Sequence, residues 1–246
     1  MRVLESGETP FRWWRLADVV GGDDIIRAAV ANVPPETWPC WVRYSNDIER
    51  GKRTTRELGS QHYVLRNVAD RVNSSWQAFE FGRLIGDPTA IVPDPDYHGA
   101  GLHITDPGGW LQAHVDYELH PRLNGWERRL NLILWLNETW KPEWGGALIL
   151  CDGMGERKQT FYPIPGEAIL FEGGPDSYHG AMQTSQDAPP RVTLAAYYLA
   201  PARPSATRRR ACFFPNRDAP NCPREVRIPV GVPGVYTGAV STQAAL

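Results

Sequence analysis

The sequence predicts a mainly β fold with flanking helices (α+β), its core an antiparallel sandwich or jelly roll, and three observations carry that prediction. From residue 99 onward, short β-type runs follow one another with no helical pattern between them. Gly- and Pro-containing turns punctuate those runs. The two stretches with helical periodicity both lie in the first hundred residues. Ten tryptophans and 22 prolines in 246 residues suit strands, loops and wide aromatic pockets better than a helical bundle.

The elements follow in chain order. "GGDDIIRAAVANV" (21–33) places Asp at a helix start, apolar residues at helical spacing and Pro34-Pro35 at the end. "WVRYSNDIERGKRTTRE" (41–57) carries five basic residues and reads as a solvated hairpin or loop rather than a substrate-binding patch. "RNVADRVNSSWQAFEFGRLIG" (66–86) reads as one amphipathic helix with Val68, Val72, Trp76, Phe79 and Leu84 on its apolar face and Gly86 closing it. The β-type runs are "GAGLHIT" (99–105), "WLQAHVD" (110–116), "RRLNLILWLN" (128–137), "GALILCD" (146–152), "EAILFEG" (167–173) and "RVTLAAYYLA" (191–200). With neither a dividing linker nor an internal repeat, the chain reads as a single domain, residues 1–246. Residues 1–98 support the core, 99–200 form it, and the Pro- and Arg-rich 201–246 extend it.

Bulk properties exclude several partners. A formal net charge of −2 gives no global attraction to nucleic acid or anionic membrane, although basic clusters occur at 43–56 and 207–210. No apolar run approaches the roughly 20 residues of a spanning helix, so no membrane partner is expected. The N-terminus lacks a signal peptide's apolar centre. Cys40, Cys151, Cys212 and Cys222 show no CxxC spacing, which fits unpaired thiols in a reducing cytoplasm better than a Cys212–Cys222 bridge.

Chemistry concentrates in "GGWLQAHVDYELHP" (108–121). In a strand, residues two apart share a face, so His114 and Asp116 present an imidazole and a carboxylate side by side. The later histidines are His120, too close and in a loop, and His179, directly after an apolar strand that can return beside the first in a jelly roll. Two histidines and a carboxylate on one face of an octahedral ion leave three positions open, the arrangement of non-haem Fe(II) oxygenases. Arg191 and Thr193 then share a face on the following strand. A buried guanidinium there calls for an anion, which a dicarboxylate co-substrate supplies.

The stretches "GGWLQAHVDY", "RRLNLILWLNETWKPEWGGALIL", "FYPIPGEAILFEGG", "YHGAMQ" and "RVTLAAYYLA", in that order, resemble the Fe(II)/2-oxoglutarate-dependent oxygenases of the prolyl 4-hydroxylase-like branch. The resemblance implies a double-stranded β-helix core, the cupin-like jelly roll. It also implies Fe(II) on His114, Asp116 and His179, with the C5 carboxylate of 2-oxoglutarate on Arg191 helped by Thr193. Two departures stand out: Thr105 and Trp135 occupy positions where prolyl hydroxylase relatives commonly carry tyrosines that contact the co-substrate. Trp135 and Asn131 share one face of their strand, opposite Leu130, Leu132 and Leu134, and are read as lining that pocket; a polar Asn131 in so apolar a strand needs a partner.

The activity implied is hydroxylation of an unactivated C–H bond with O2, releasing succinate and CO2. Asp116 favours hydroxylation over chlorination, because halogenases resembling this family lack the carboxylate. Substrate contacts are expected from Tyr97, His98 and His103 before the first metal strand and from Tyr117, Arg122, Trp126 and Arg128 after it, with Arg129 a further candidate. Structural roles compete at each: His103 as a core histidine, Arg128 in an ion pair, Arg208-Arg209-Arg210 as a solvated basic turn. A small molecule or amino-acid-type substrate is preferred. The alternatives are a peptidyl (prolyl-type) hydroxylase and a metal-binding jelly roll that senses without turnover. A nucleic-acid demethylase is disfavoured by the near-neutral charge.

Overall fold

A computed structural model describes residues 1–208 and 211–213. Three helices and thirteen strands occur among them: β1 (Arg2–Gly7), β2 (Trp13–Ala17), α1 (Asp23–Val30), β3 (Val42–Tyr44), β4 (Glu49–Thr55), α2 (Tyr63–Val72), α3 (Ser75–Ile85), β5 (Val92–Pro93), β6 (Gly101–Val115), β7 (Trp126–Trp135), β8 (Leu148–Cys151), β9 (Arg157–Phe161), β10 (Ala168–Glu172), β11 (Tyr178–Ala181), β12 (Arg191–Pro201) and β13 (Cys212–Phe213). The strands pair in the order β1-β2-β10-β7-β12-β6-β11-β8-β9, all antiparallel, with β3–β4 and β13 joining at β6 and β5 at β12. Neighbours distant in sequence and a sheet that curls on itself make this the expected double-stranded β-helix.

Strand β6 joins the two layers. Its first half pairs with β12 (Arg191↔Thr105, Thr193↔His103), and its second half pairs with β11 (His179↔His114). Runs 99–105 and 110–116, read as separate strands, are thus one bent strand. The bend falls at Asp106-Pro107-Gly108-Gly109. Gly108 adopts φ +75°, and a Cβ on Gly109 would stand 2.7 Å from the Arg50 carbonyl.

Alternation divides the core. Leu130, Leu132, Leu134, Leu194, Ala196 and Tyr198 face Ile26, Leu65, Val68, Val72 and Phe81 of the helices. The opposite face puts Trp135, Ile169 and Phe171 against Leu148 and Leu150 inside the barrel. Helix α1 forms where expected, with Asp23 and Asp24 in the first turn complementing the positive end of the helix dipole.

Two expectations are corrected. The single helix over 66–86 is two, because Ser74 caps α3: its Oγ accepts the Gln77 N–H at 3.1 Å, and Asn73 donates to the Asp94 carbonyl. The new axis rotates the apolar face, leaving Trp76 69% and Phe79 40% exposed while Phe81 is buried edge-on to Tyr198. Gly86 does close α3, in the left-handed conformation. The basic 41–57 segment forms a hairpin, but not a solvated one. Strand β4 pairs with β6, and Glu49 and Arg53 are buried because Lys52 and Asp106 neutralise them. Strands β1, β2 and β9 were not read from sequence.

Cys40 is an exposed free thiol, and Cys151 is buried in β8. A Cys212–Cys222 bridge and the side chains of Arg209 and Arg210 lie outside what the structure describes. No helix of the described residues is long and apolar enough to cross a membrane.

Candidate metal centre

His114 stands near the end of β6 with Asp116 just beyond it, and the β11–β6 ladder sets His179 directly opposite His114. A ligand atom from each lies within 4.8 Å of the others. Nε2 of His114 is 3.6 Å from Asp116 Oδ1, and Nε2 of His179 is 3.5 Å from Asp116 Oδ2. Both Nδ1 atoms face carbonyl oxygens, of Gln112 at 2.9 Å and Ser177 at 3.0 Å. A carbonyl only accepts, so each Nδ1 carries a proton, which leaves Nε2 as the ring nitrogen placed to ligate on the Asp116 side. Burial, reinforced by His114, lowers the His179 pKa to about 4, which keeps its imidazole neutral.

Asp116 is held as a carboxylate. Burial pushes its pKa up, but the Arg128 guanidinium and the two histidines outweigh burial and hold it well below the usual range. Its Oδ2 takes Arg128 Nη1 and Asn131 Nδ2, each at 2.7 Å. Arg128 is clamped in turn: its guanidinium lies 3.7 Å from the Tyr117 ring centroid and 3.3 Å from that of Tyr197, and its Nη2 donates to the His98 carbonyl at 3.2 Å.

A second carboxylate–histidine group, Asp94, Asp96 and His120, is equally compact. There His120 Nδ1 accepts from the backbone N–H groups of Arg122 (3.2 Å) and Leu123 (2.9 Å). Its proton therefore sits on Nε2, 3.5 Å from Asp94 Oδ2. Asp94 also accepts the N–H groups of Asp96 and His98. That tautomer offers no lone pair between the three side chains, so the group ties loops together. The hydrogen bonds at Nδ1 distinguish the two clusters.

The barrel interior beside the first cluster holds unmet donors. Arg191 is 5% exposed, no acidic side chain among the described residues pairs with it, and burial lowers its pKa to about 10. Its Nε and the Nε1–H of fully buried Trp135 have no acceptor among the described residues. Thr105 faces Arg191 across the ladder, and Thr193, whose hydroxyl donates to the His103 carbonyl at 3.1 Å, faces Trp135. Gly146 makes room for Arg191, since a Cβ there would stand 3.2 Å from its Cδ. Phe171 packs on the His179 ring at 4.7 Å. Two imidazoles, a carboxylate and a buried guanidinium that no acidic side chain of the described residues pairs with fit a divalent metal with an anionic co-ligand.

The substrate candidates scatter. His103 lies on the interior strand face with Arg191, its pKa lowered to about 3 by burial and then by Lys52. His98 and Tyr117 stack edge-to-face beside Arg128. Tyr97 turns toward the helices and donates to the Ala69 carbonyl. Arg122 pairs with Asp96 at the surface, Arg129 pairs with Glu127, and Trp126 is half-buried at the start of β7 opposite Pro201. Sequence reasoning missed Tyr197, although counting by twos from Arg191 puts it on the interior face.

Residues 100–199 match the family model described as the 2OG-Fe(II) oxygenase superfamily. A search of curated proteins returns no match. Among solved structures, a prolyl-4-hydroxylase of Pseudomonas putida is similar, with TM-score 0.51 and 18% identity over 77% of this chain and 93% of that one. A prolyl hydroxylase of Trichoplax adhaerens, solved with a hypoxia inducible factor peptide fragment, gives TM-score 0.55 and 15% identity over 76% and 83%. Identities this low bear on fold alone. The matched segment contains the whole His114–Asp116–His179 cluster and Arg191, so the likeness to the 2OG-Fe(II) oxygenase superfamily falls on the part of the chain that carries the candidate metal centre.

Proposed function

We propose that this enzyme hydroxylates an unactivated C–H bond of a small molecule or amino-acid-type substrate. In this reading His114, Asp116 and His179 hold Fe(II), and Arg191 binds the distal carboxylate of 2-oxoglutarate. Thr193, Trp135, Thr105 and Asn131 line the same pocket. The observation that carries the reading is the buried Arg191 guanidinium without a carboxylate, on the barrel face that also bears Trp135. Fe(II) with 2-oxoglutarate and O2 supplies oxidative decarboxylation to succinate and CO2, coupled to oxygen insertion into a C–H bond. The chain's own residues prepare that chemistry. His114 and His179 present Nε2, Asp116 stays ionised, and Phe171, Leu148 and Leu150 wall the interior against water.

A single domain over 1–246 serves this site, with residues 1–98 supporting the barrel, as the packing of α1–α3 on β7 and β12 favours. The exposed free thiol of Cys40 suits the cytoplasm. A second reading, a peptidyl hydroxylase of prolyl type, is favoured by the fold likeness to two prolyl hydroxylases, one solved with a peptide.

Anaerobic Fe(II) and 2-oxoglutarate should produce a weak visible charge-transfer band, and His179→Ala should remove it. Persistence of the band in that variant would sink the ligand assignment. Succinate release, screened against amino acids, other metabolites and proline-containing peptides under O2, separates the two substrate classes. Substrate-independent silence in that screen, with the band intact, would favour a sensor.

A further inference from the structure

Arg128 is the most heavily restrained side chain near the candidate metal centre, and its restraint has a direction. Its guanidinium is 3% exposed, covered on both faces by Tyr117 and Tyr197 and pinned at Nη2 by the His98 carbonyl. The tyrosines are anchored too: Tyr117 donates to the His98 carbonyl and Tyr197 to the Gly99 carbonyl, each at 3.2 Å. Held this way, Arg128 cannot swing out to greet a substrate. What it meets, as an ion pair, is Asp116 Oδ2, at 2.7 Å, to which Asn131 Nδ2 donates at 2.7 Å.

A carboxylate oxygen has two in-plane lone-pair sites. Asn131 donates into one site of Oδ2, and the Arg128 cation lies against the same oxygen as an ion pair. Oδ1 lies 3.6 Å from His114 Nε2 and takes neither of these two contacts, whereas Oδ2, 3.5 Å from His179 Nε2, carries both. We propose that Arg128, with Asn131, is a positioning residue that commits Asp116 Oδ2 and so restricts Asp116 to one-oxygen coordination through Oδ1. The inference rests on the reading of His114, Asp116 and His179 as the metal site. Its consequence is arithmetic in coordination positions. Three protein ligand atoms on an octahedral ion leave three positions, two for a chelating 2-oxo acid and one for O2. A carboxylate binding through both oxygens would fill one of them and compete with the co-substrate. Arg128 thus acts on co-substrate binding through Asp116, without touching either reactant.

The test uses Mn(II), which occupies such sites without turnover, and the full chain. In the wild type, Mn(II) binds, and a crystal structure of that form shows Asp116 attached through Oδ1 alone. Arg128→Met keeps an apolar side chain between the tyrosines but removes the cation paired with Oδ2. Its Mn(II) form is expected to bind 2-oxoglutarate about tenfold or more weakly, with Asp116 attached through both oxygens while Mn(II) still binds. A general loss of structure would instead weaken metal and co-substrate together. Asn131→Ala removes the hydrogen bond to Oδ2 and should move 2-oxoglutarate affinity the same way, which keeps the test open if Arg128→Met misfolds. Unchanged 2-oxoglutarate affinity in both folded variants, or one-oxygen attachment in both, overturns the proposal. Failure of the wild type to bind Mn(II), with His179→Ala no different, overturns the metal-site reading on which it stands.

Discussion

His179 and His114 face each other across the β11–β6 ladder with ring centroids 4.5 Å apart, and the close approach of the two backbones depends on the glycine that follows His179. A Cβ on Gly180 would stand 2.9 Å from the backbone of Ala113 and from the Leu111 carbonyl. Gly180→Ala must push β11 off β6 just where His179 is carried. We expect a stability loss of about 1–3 kcal/mol, together with weaker Fe(II) binding. Chemical denaturation and metal titration of the same variant check both halves, and unaltered metal affinity would show that the ladder has slack.

Arg191 makes a prediction of opposite sign for stability and binding. A buried cation with no counter-ion costs free energy in the protein without co-substrate. Arg191→Met should therefore leave that form as stable or more stable, by about 1 kcal/mol or more, while abolishing 2-oxoglutarate binding. Arg191→Lys keeps the charge but loses the planar fork, so weak binding should survive. Thermal melts with and without 2-oxoglutarate distinguish these outcomes. A destabilised Arg191→Met would mean that the guanidinium has a partner.

The buried histidines set the pH dependence. His98, His103 and His179 have pKa values lowered to about 4, 3 and 4, burial being the largest cause in each. Between those values and the unfolded pKa near 6.5 the unfolded chain binds more protons, so folding stability falls as pH falls through that window. Above about pH 6.5 the contribution is complete. Asp116, lowered instead, adds a loss that begins only below the ordinary carboxylate pKa. Denaturation midpoints measured without metal from pH 7 to pH 4 should decline steadily, by about 1 kcal/mol per pH unit for each histidine engaged. His103→Gln should flatten the slope. A flat profile in the wild type would contradict the burial of these rings.

How far the sequence reaches depends on the range of the interaction. The barrel strands are legible because alternation is local: Leu130, Leu132 and Leu134 must face one side and Asn131 and Trp135 the other, whatever packs against them. His114 and Asp116 are legible for the same reason, and His179 because few histidines remained to choose from. The burial of β4 is not legible. Glu49 and Arg53 look solvated until Lys52 and Asp106 are placed beside them, and Asp106 comes from another strand. Arg128 is obscured likewise, since its partners Asp116, Tyr197 and His98 meet it only in the folded barrel.

The split between α2 and α3 yields the last prediction, because helical spacing and the Ser74 cap point to different buried residues. Spacing alone places Trp76 and Phe79 inward, yet they stack on each other in solvent at 6.0 Å while Phe81 enters the core against Tyr198 at 5.0 Å. Phe81→Ala should cost about 3–5 kcal/mol, since it empties a packed position between α3 and β12. Trp76→Ala should change stability by no more than about 0.5 kcal/mol. Ser74→Ala should cost about 1 kcal/mol through the uncapped Gln77 N–H. Urea denaturation of the three variants measures all of these on one scale, and a Trp76 loss comparable to that of Phe81 would restore the single-helix reading.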